Sequence, residues 1–346
     1  MTCISRKKLL GVIQKNYDIP LHKSQTIRLE NSNQGYMNTC IQVSLHNPTQ
    51  TYIAIIYNRP RYSTDQSRII LDDAYKAAKY LHDHGLPCRI PILTKRKKRL
   101  IKFSMEDTKS EHIMGLYNFL PGNTLPWESY TRRHLRALGK CMAEMHRLLK
   151  DFPHQTTSLP RWSDYLRNDY SKLKSYFQKN SPAIKKKLSL QVNIKDCTEL
   201  TKSLHPKSLH PKSHEQTIHY DFVRGNILFS SEKHILTYPI TGILDFEKAM
   251  IASTAVDIAR TLSFLLVDCK YKSDQEIITY FLKEGYVALG KANSPRFDQL
   301  NNLMIYFWLR DLWKFLTGNP YNDLHLNYHY TETVRRLAKT AYITLI

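Results

Sequence analysis

The amino-acid sequence predicts an α+β protein in which a small lobe of short strands is followed by a larger, mainly helical lobe. Short runs rich in β-branched residues occur at 26–30, 39–45, 51–57, 90–93 and 113–119. Helical periodicity then takes over, and apolar residues fall on one face of the segment 131–152. A length of 346 residues also favours about two lobes over a single core.

The stretch from His219 to Asn226, His-Tyr-Asp-Phe-Val-Arg-Gly-Asn, joins two apolar segments and is predicted to form a tight loop between buried strands. Such a loop holds its side chains still, so Asp221 and Asn226 can point at one place. An aspartate there suits a proton acceptor, and an asparagine suits a neutral oxygen ligand for Mg²⁺. The spacing of the two residues equals that of the protein-kinase catalytic loop.

A second apolar segment, Ile243-Leu244, ends in the carboxylates Asp245 and Glu247. The end of such a strand is where a magnesium-binding aspartate would be expected. Taken singly, each of these polar residues could merely cap a turn. The ordered set is more specific than any of its members.

Asp257-Ile258-Ala259 completes a series that runs His-x-Asp-x-x-x-x-Asn, then a strand with Asp-x-Glu, then Asp-Ile-Ala. In this series the chain resembles the superfamily of aminoglycoside phosphotransferases, choline kinases and homoserine kinases. The resemblance extends from about residue 26 to 268 and is strongest at 218–260. It implies a protein-kinase-like bilobal fold, with a small antiparallel-sheet N-lobe at 1–117 and a mainly helical C-lobe at 118–346.

The resemblance also implies an activity, the ATP-dependent phosphorylation of a hydroxyl group on a small molecule. Asp221 would orient that hydroxyl and accept its proton, while His219 would brace the loop. Asn226 and Asp245 would hold Mg²⁺ on the phosphates of ATP. The acceptor class stays open among aminoglycosides, choline or other amino alcohols, homoserine and sugar-like alcohols.

Two further carboxylates are expected just outside the reacting groups. Asp257 would accept backbone N–H groups of the loop. Glu247 lies close in sequence to the site, and a structural ion pair is as good an interpretation for it as a direct role.

Nucleotide contacts are expected from a turn in the small lobe and from a hinge between the lobes. Gly35 and Asn38 match a Gly-x-x-Asn turn whose backbone amides could bind phosphate, although any hairpin turn has a similar composition. Tyr117 and Phe119 belong to an apolar strand closed by Pro-Gly, which resembles the hinge along which adenine lies. An edge strand followed by a turn would look the same.

The small lobe departs from the family pattern at two positions. Ile55 stands where a Lys or Arg reaches the phosphates, and Ala74, on a helix predicted at about 67–84, stands where its Glu partner is expected. The candidate substitutes for the missing cation are Arg28, Arg59 and Arg61. Beyond the helix, residues 85–92 read Gly-Leu-Pro-Cys-Arg-Ile-Pro-Ile and resemble the family's Gly-Leu-Pro-Val-Pro-x-Pro-Ile.

Composition limits the alternatives. The formal net charge of +21 would help a nucleotide approach, and it would also suit nucleic acid, but no nucleic-acid-binding motif accompanies it. A protein kinase would carry an Ala-Pro-Glu-like segment after Asp245, and none is present. A catalytically impaired pseudokinase remains an alternative because of Ile55.

The segment 1–17 resembles an amphipathic helix more than a signal peptide, and no apolar stretch reaches the length of a membrane span. Six scattered cysteines without Cys-x-x-Cys spacing predict ordinary thiols in a reducing cytoplasm and give no zinc site.

Overall fold

The computed structural model describes residues 5–19, 27–31, 38–46, 49–57, 64–104, 111–153, 157–179, 201, 204, 209–210, 214–230, 239–289, 297–318 and 324–338. In these residues the amino-terminal part of the chain forms an antiparallel sheet. Its strands are β1 Ile27–Asn31, β2 Thr39–His46, β3 Thr49–Tyr57, β4 Ile101–Ser104 and β5 Glu111–Asn118. They lie in the order β1-β2-β3-β5-β4.

Two helices accompany this sheet, α1 at Arg6–Asn16 and α2 at Asp65–Asp83. Ser5 and Thr64 cap their first turns, each hydroxyl oxygen accepting a backbone N–H three residues on. Both helices begin within five residues of the sequence predictions. Capping of this kind satisfies N–H groups that have no partner inside the helix.

Alternation along β3 gives the sheet two apolar faces. Ile53 and Ile55 belong to the large core that α2 shares, whereas Ala54 and Ile56 pack in a smaller cluster with residues of α1. Ile55 therefore faces the same side of the sheet as α2 and the rest of the molecule.

The strand predicted at 90–93 is wrong. Pro91 makes an isolated bridge to Tyr117 there, and β4 forms instead on the far side of the basic run. Proline lacks an N–H and has a fixed φ, so it cannot continue a ladder in both directions. The other predicted strands agree with β1, β2, β3 and β5 to within two residues.

The rest of the chain is mainly helical, as predicted. The helices are α3 Arg132–Leu149, α4 Trp162–Lys179, α5 Thr254–Asp268, α6 Asp274–Ile277 with a π-helical continuation at Ile278–Val287, α7 Phe297–Gly318 and α8 Tyr328–Ala338. The polar, Lys-rich and Tyr-rich segment 158–200 predicts two helices, of which the first agrees with α4 and the second lies outside the described residues. No helix in the described ranges is both long and apolar enough to cross a membrane.

Gly139 allows α3 to pack against the π-helical continuation at backbone distance. A Cβ atom at this position would lie 2.0 Å from the carbonyl oxygen of Phe281. Any larger residue would therefore push the two helices apart.

Two short strand pairs lie between these helices. The strands are β6 Glu215–Ile218, β7 Ile227–Phe229, β8 Ile240–Ile243 and β9 Met250–Ser253. β6 pairs with β9 and β7 pairs with β8, both antiparallel. This pairing brings the loop 219–226 beside the segment 244–249.

Candidate active site

The loop between β6 and β7 is held by its first residue, His219, which is fully buried. Its Nε2 lies 2.9 Å from the carbonyl oxygen of Leu244, and its Nδ1 accepts the backbone N–H of Asp221 at 3.2 Å. Burial lowers the pKa of His219 despite the nearby carboxylates, so the ring is neutral with the proton on Nε2. His219 thus links the backbone of Asp221 to the residue before Asp245.

Asp257, on the first turn of α5, anchors the same loop. Its two carboxylate oxygens accept the backbone N–H groups of His219 at 3.1 Å and Tyr220 at 2.9 Å. His146 of α3 lies 3.1 Å from the same carboxylate through Nε2 and 2.8 Å from the hydroxyl of Tyr286 through Nδ1. Each of these groups is buried, so the anchor is a satisfied polar network inside the core.

Tyr220 takes a backbone conformation that a bulky residue rarely adopts, with φ at 63°. Such strain persists only where the surroundings impose it. The two hydrogen bonds to Asp257, on Tyr220 and its neighbour, supply that constraint.

The carboxylate of Asp221 faces two partners. Lys248 donates to Oδ2 at 2.7 Å, and the side-chain amide of Asn226 donates to the same oxygen at 3.1 Å. Burial alone would raise the pKa of Asp221, but the charge and hydrogen bond of Lys248 outweigh it and the pKa is lowered. Asp221 is therefore ionised at neutral pH, as a proton acceptor must be.

Asn226 and Asp245 lie on adjacent, hydrogen-bonded segments. The N–H of Leu244 donates to the carbonyl oxygen of Asn226 at 2.8 Å, which places Asp245 beside it. Asp245 has φ at 56° and accepts the N–H of Glu247 at 3.3 Å. Both residues line the same cavity.

This donor set fits Mg²⁺. Asn226 directs its amide N–H groups at Asp221, which leaves its side-chain carbonyl oxygen as a neutral ligand in the cavity that the carboxylate residue Asp245 also lines. Mg²⁺ is commonly held by one or two protein oxygens, with water and substrate phosphates completing the octahedron. Among the described residues there is no cluster of three or more His, Cys, Asp or Glu side chains that would form a closed metal site.

Glu247 connects the two lobes. Its Oε1 accepts a hydrogen bond of 2.6 Å from the side-chain amide of Asn38, which lies just before β2. Asn38 and Glu247 both line the cavity. Gly35, the other residue of the predicted turn, lies outside the described residues.

Tyr117 and Phe119 do not contribute to the cavity wall. The ring of Tyr117 is buried in the core, where its hydroxyl lies 2.5 Å from that of Tyr57, which in turn lies 2.9 Å from that of Tyr75. Phe119 packs against the same core. A role for these two residues at a hinge would rest on their backbone groups.

The cavity itself has a volume of about 900 Å³ and is formed by both lobes and the loop. Its wall from the small lobe and the helix α2 comprises Asn38, Cys40, Ile55, Tyr75 and Arg89, and that from the loop and its partner segment comprises Asp221, Val223, Arg224, Gly225, Asn226, Leu244, Asp245, Glu247 and Lys248. Further residues at 124–128, 264, 268, 270 and 326–329 complete it. The volume is within the range of small-molecule sites.

Sequence analysis missed two residues of this site, Lys248 and Arg89. Lys248 directly follows the Asp-x-Glu element, and Arg89 stands where the family pattern of residues 85–92 has a proline. Ile55 and Ala74 are buried where expected. Of the proposed substitutes for the missing cation, Arg59, Arg61 and the side chain of Arg28 lie outside the described residues.

A fold with these lobes and this loop is that of the protein-kinase-like phosphotransferases. The model of the phosphotransferase enzyme family matches residues 34–271, more than half of the sequence. The chain belongs to this family, which confirms the predicted class of enzyme, a phosphotransferase with an alcohol group as acceptor. A comparison with curated proteins gave no significant match.

Solved structures confirm the fold. An amicoumacin kinase in complex with AMP-PNP and Ca²⁺ is 15% identical with a TM-score of 0.71, covering 99% of this chain and 96% of its own. An aminoglycoside 2′-phosphotransferase in its GDP complex is 13% identical with a TM-score of 0.60, covering 97% and 98%. A choline kinase from Cryptosporidium parvum is 13% identical with a TM-score of 0.58, covering 97% of this chain and 96% of its own.

Proposed function

We propose that this phosphotransferase uses MgATP to phosphorylate a hydroxyl group of a small molecule. The observation that carries the proposal is the convergence of Asp221, Asn226 and Asp245 on one cavity, each held by contacts to its neighbours. Phosphoryl transfer asks a protein mainly for positioning and for neutralisation of charge. These three residues supply both.

In the proposed reaction, Asp221 accepts a hydrogen bond from the acceptor hydroxyl and orients its oxygen toward the γ-phosphorus. The oxygen–phosphorus bond forms as the bond from the γ-phosphorus to the β–γ bridging oxygen breaks, and ADP leaves. The hydroxyl proton passes to Asp221, whose lowered pKa keeps it an anion beforehand. Lys248 holds the carboxylate in place before the acceptor binds.

Asn226 and Asp245 would hold the metal through one amide oxygen and one carboxylate. Mg²⁺ bound there would neutralise negative charge on the phosphates as it develops. The amicoumacin kinase structure named above holds Ca²⁺ and an ATP analogue, which supports a divalent ion and ATP in the corresponding place here.

The nucleotide would lie between an N-lobe at 1–117 and a C-lobe at 118–346. We propose that Gly35 and Asn38 contribute to phosphate binding and that the backbone of Tyr117 and Phe119 faces the adenine. The bond from Asn38 to Glu247 supports this placement, because it joins the turn before β2 to the segment that follows Asp245.

The acceptor would contact the cavity wall that the C-lobe supplies. Trp127 and Tyr328 give this wall aromatic faces, while Glu128 pairs with Lys270 at 3.0 Å. Such a wall combines apolar and charged contacts, which suits an amino alcohol, an aminoglycoside or a sugar-like alcohol. The thiols of Cys40, Cys88, Cys141 and Cys269 are buried and form no disulfide, which supports a reducing location such as the cytoplasm.

A screen for ADP formation tests the proposal. The purified chain is mixed with MgATP and single members of a panel that contains aminoglycosides, choline, ethanolamine, homoserine and simple sugars. We expect one class to stimulate ADP release well above the rate with water alone, with a phosphorylated product visible by mass spectrometry. A chain that fails to bind MgATP by calorimetry would contradict the proposed function.

A further inference from the structure

Arg89 is a buried cation in the wall of the cavity. It is 4% exposed, yet it is one of the residues that the cavity contacts. Burying a charge is costly unless the surroundings compensate for it. Its place in the cavity wall puts this cation where an anionic ligand in the cavity can meet it.

The backbone of Arg89 is fixed between the hinge and the strand that leads to Asp245. Its N–H donates to the carbonyl oxygen of Ile243 at 2.9 Å. The next residue, Ile90, donates its N–H to the side chain of Asn118 at 2.7 Å and accepts the N–H of Asn118 at 3.1 Å. These bonds fix the backbone at Arg89 and at the residue that follows it.

The guanidinium lies on the side of the cavity where Ile55 supplies no charge. Cys40 and Ile55 are directly opposite each other in the β2–β3 ladder, and both line the cavity with Arg89. Burial raises the pKa of Cys40 to about 11, and the positive charge of Arg89 opposes that shift. Asp245 also acts on Arg89 electrostatically.

We propose that Arg89 binds the phosphates of the nucleotide and takes the place of the cation that is missing at Ile55. The inference rests on the proposed function. A guanidinium offers five N–H donors in a plane and can bind two phosphate oxygens at once. Poor access to water strengthens such contacts.

The same inference explains why Ala74 replaces the expected glutamate. A long lysine on β3 would need a carboxylate on α2 to hold it in place. The backbone of Arg89 is already fixed and the negative charge of Asp245 acts on its side chain, so a glutamate at position 74 is not required. The three departures from the family pattern, at 55, 74 and 89, then amount to one change, in which the phosphate-binding cation moves from the strand to Arg89.

The experiment compares the affinity of ATP with that of adenosine, both by calorimetry with Mg²⁺ present. Arg89→Met keeps much of the side-chain length and removes the charge. We expect ATP to bind about tenfold more weakly or worse, as for loss of a charge-assisted hydrogen bond, with adenosine within about twofold of wild type. The ATP affinity of Arg89→Lys should lie between that of wild type and that of Arg89→Met.

Arg99→Met is the matched control, because Arg99 is a partly buried arginine of the same lobe that pairs with Asp72 at 2.9 Å and does not line the cavity. It should leave both affinities unchanged. Circular dichroism and thermal melting check that each variant is folded.

The outcomes distinguish a failure of this inference from a failure of the proposed function. Equal losses of ATP and adenosine affinity in Arg89→Met would give Arg89 a purely structural role and overturn this inference alone. If that variant does not fold, Arg89→Lys decides, since it keeps the charge and must still lose more affinity for ATP than for adenosine. A wild-type chain that binds neither ligand would overturn the proposed function, and this inference with it.

Discussion

The carboxylate of Asp221 is held by two donors of different kinds, a cation and an amide. Lys248 sets its charge state and Asn226 sets its direction, since both contact the same oxygen. A carboxylate with a lowered pKa is a weak base, so orientation of the hydroxyl would contribute to the rate alongside proton transfer.

The first prediction concerns Asp221→Asn, which keeps the size and the hydrogen-bonding reach of the side chain. The amide cannot take up the hydroxyl proton, so we expect phosphoryl transfer to fall by ~10²-fold or more while MgATP affinity stays near wild type. Product formation with the best acceptor and calorimetry on the same preparation measure the two effects. Asp83→Asn, at an exposed aspartate of α2 paired with Lys79, is the control. An unchanged transfer rate would remove Asp221 as the base.

Changing Lys248 to Met should move the acid limb of the pH–rate profile. In wild type the pKa of Asp221 is lowered, so activity is present above that pKa and is lost as the pH falls through it. Without Lys248, only the smaller contributions of Arg260 and His219 oppose burial, so the pKa of Asp221 rises and activity should be lost at a higher pH. Profiles of kcat/KM for Lys248→Met, and for Lys79→Met as control, measure the shift. A limb that stays in place would contradict the assigned cause.

At the scale of elements, the sequence predicted what local spacing and periodicity determine. The loop of His219, Asp221 and Asn226 was found because its spacing is written in one short stretch, and β2, β3 and α3 were found from their periodicity. Arg89 and Lys248 are distant in sequence from the loop at 219–226, so no local spacing predicts that they meet it in the folded chain. The apolar residues at 90–93 resemble a strand, but Pro91 has no N–H to donate and makes only an isolated bridge.

The next prediction tests how α5 supports the loop. Asp257 is fully buried and accepts the N–H groups of His219 and Tyr220, the second of which has a strained backbone. Asp257→Ala would leave these donors without an acceptor, and each buried unsatisfied group costs about 1–3 kcal/mol. We therefore expect the free energy of unfolding to fall by about 3 kcal/mol or more in denaturant titrations. Asp164→Ala, at an exposed residue of α4, should be within about 0.5 kcal/mol of wild type.

At the scale of the whole molecule, charge and lobe geometry act on the same ligand. A net charge of +21 attracts polyanions from solution, while the cavity accepts its ligand between the sheet and the helical lobe. The described contacts across that cavity include the hydrogen bond from Asn38 to Glu247, two residues that lie 209 positions apart in the sequence. The position of one lobe against the other thus depends in part on a single amide and a single carboxylate.

The last prediction uses this contact. Asn38→Ala removes the donor of the 2.6 Å bond to Glu247 but no buried apolar volume, so the fold should survive. We expect MgATP to bind about five- to tenfold more weakly, because a charge-assisted hydrogen bond that holds the lobes together is lost and the ligand must order them itself.

Glu247→Gln is the matched control: its amide oxygen can still accept from Asn38, so its affinity for MgATP should be closer to wild type than that of Asn38→Ala. Calorimetry gives the affinities, and small-angle scattering with and without MgATP shows whether the ligand compacts Asn38→Ala more than it compacts wild type. Equal affinity and equal compaction in Asn38→Ala and wild type would show that this bond does not couple the lobes.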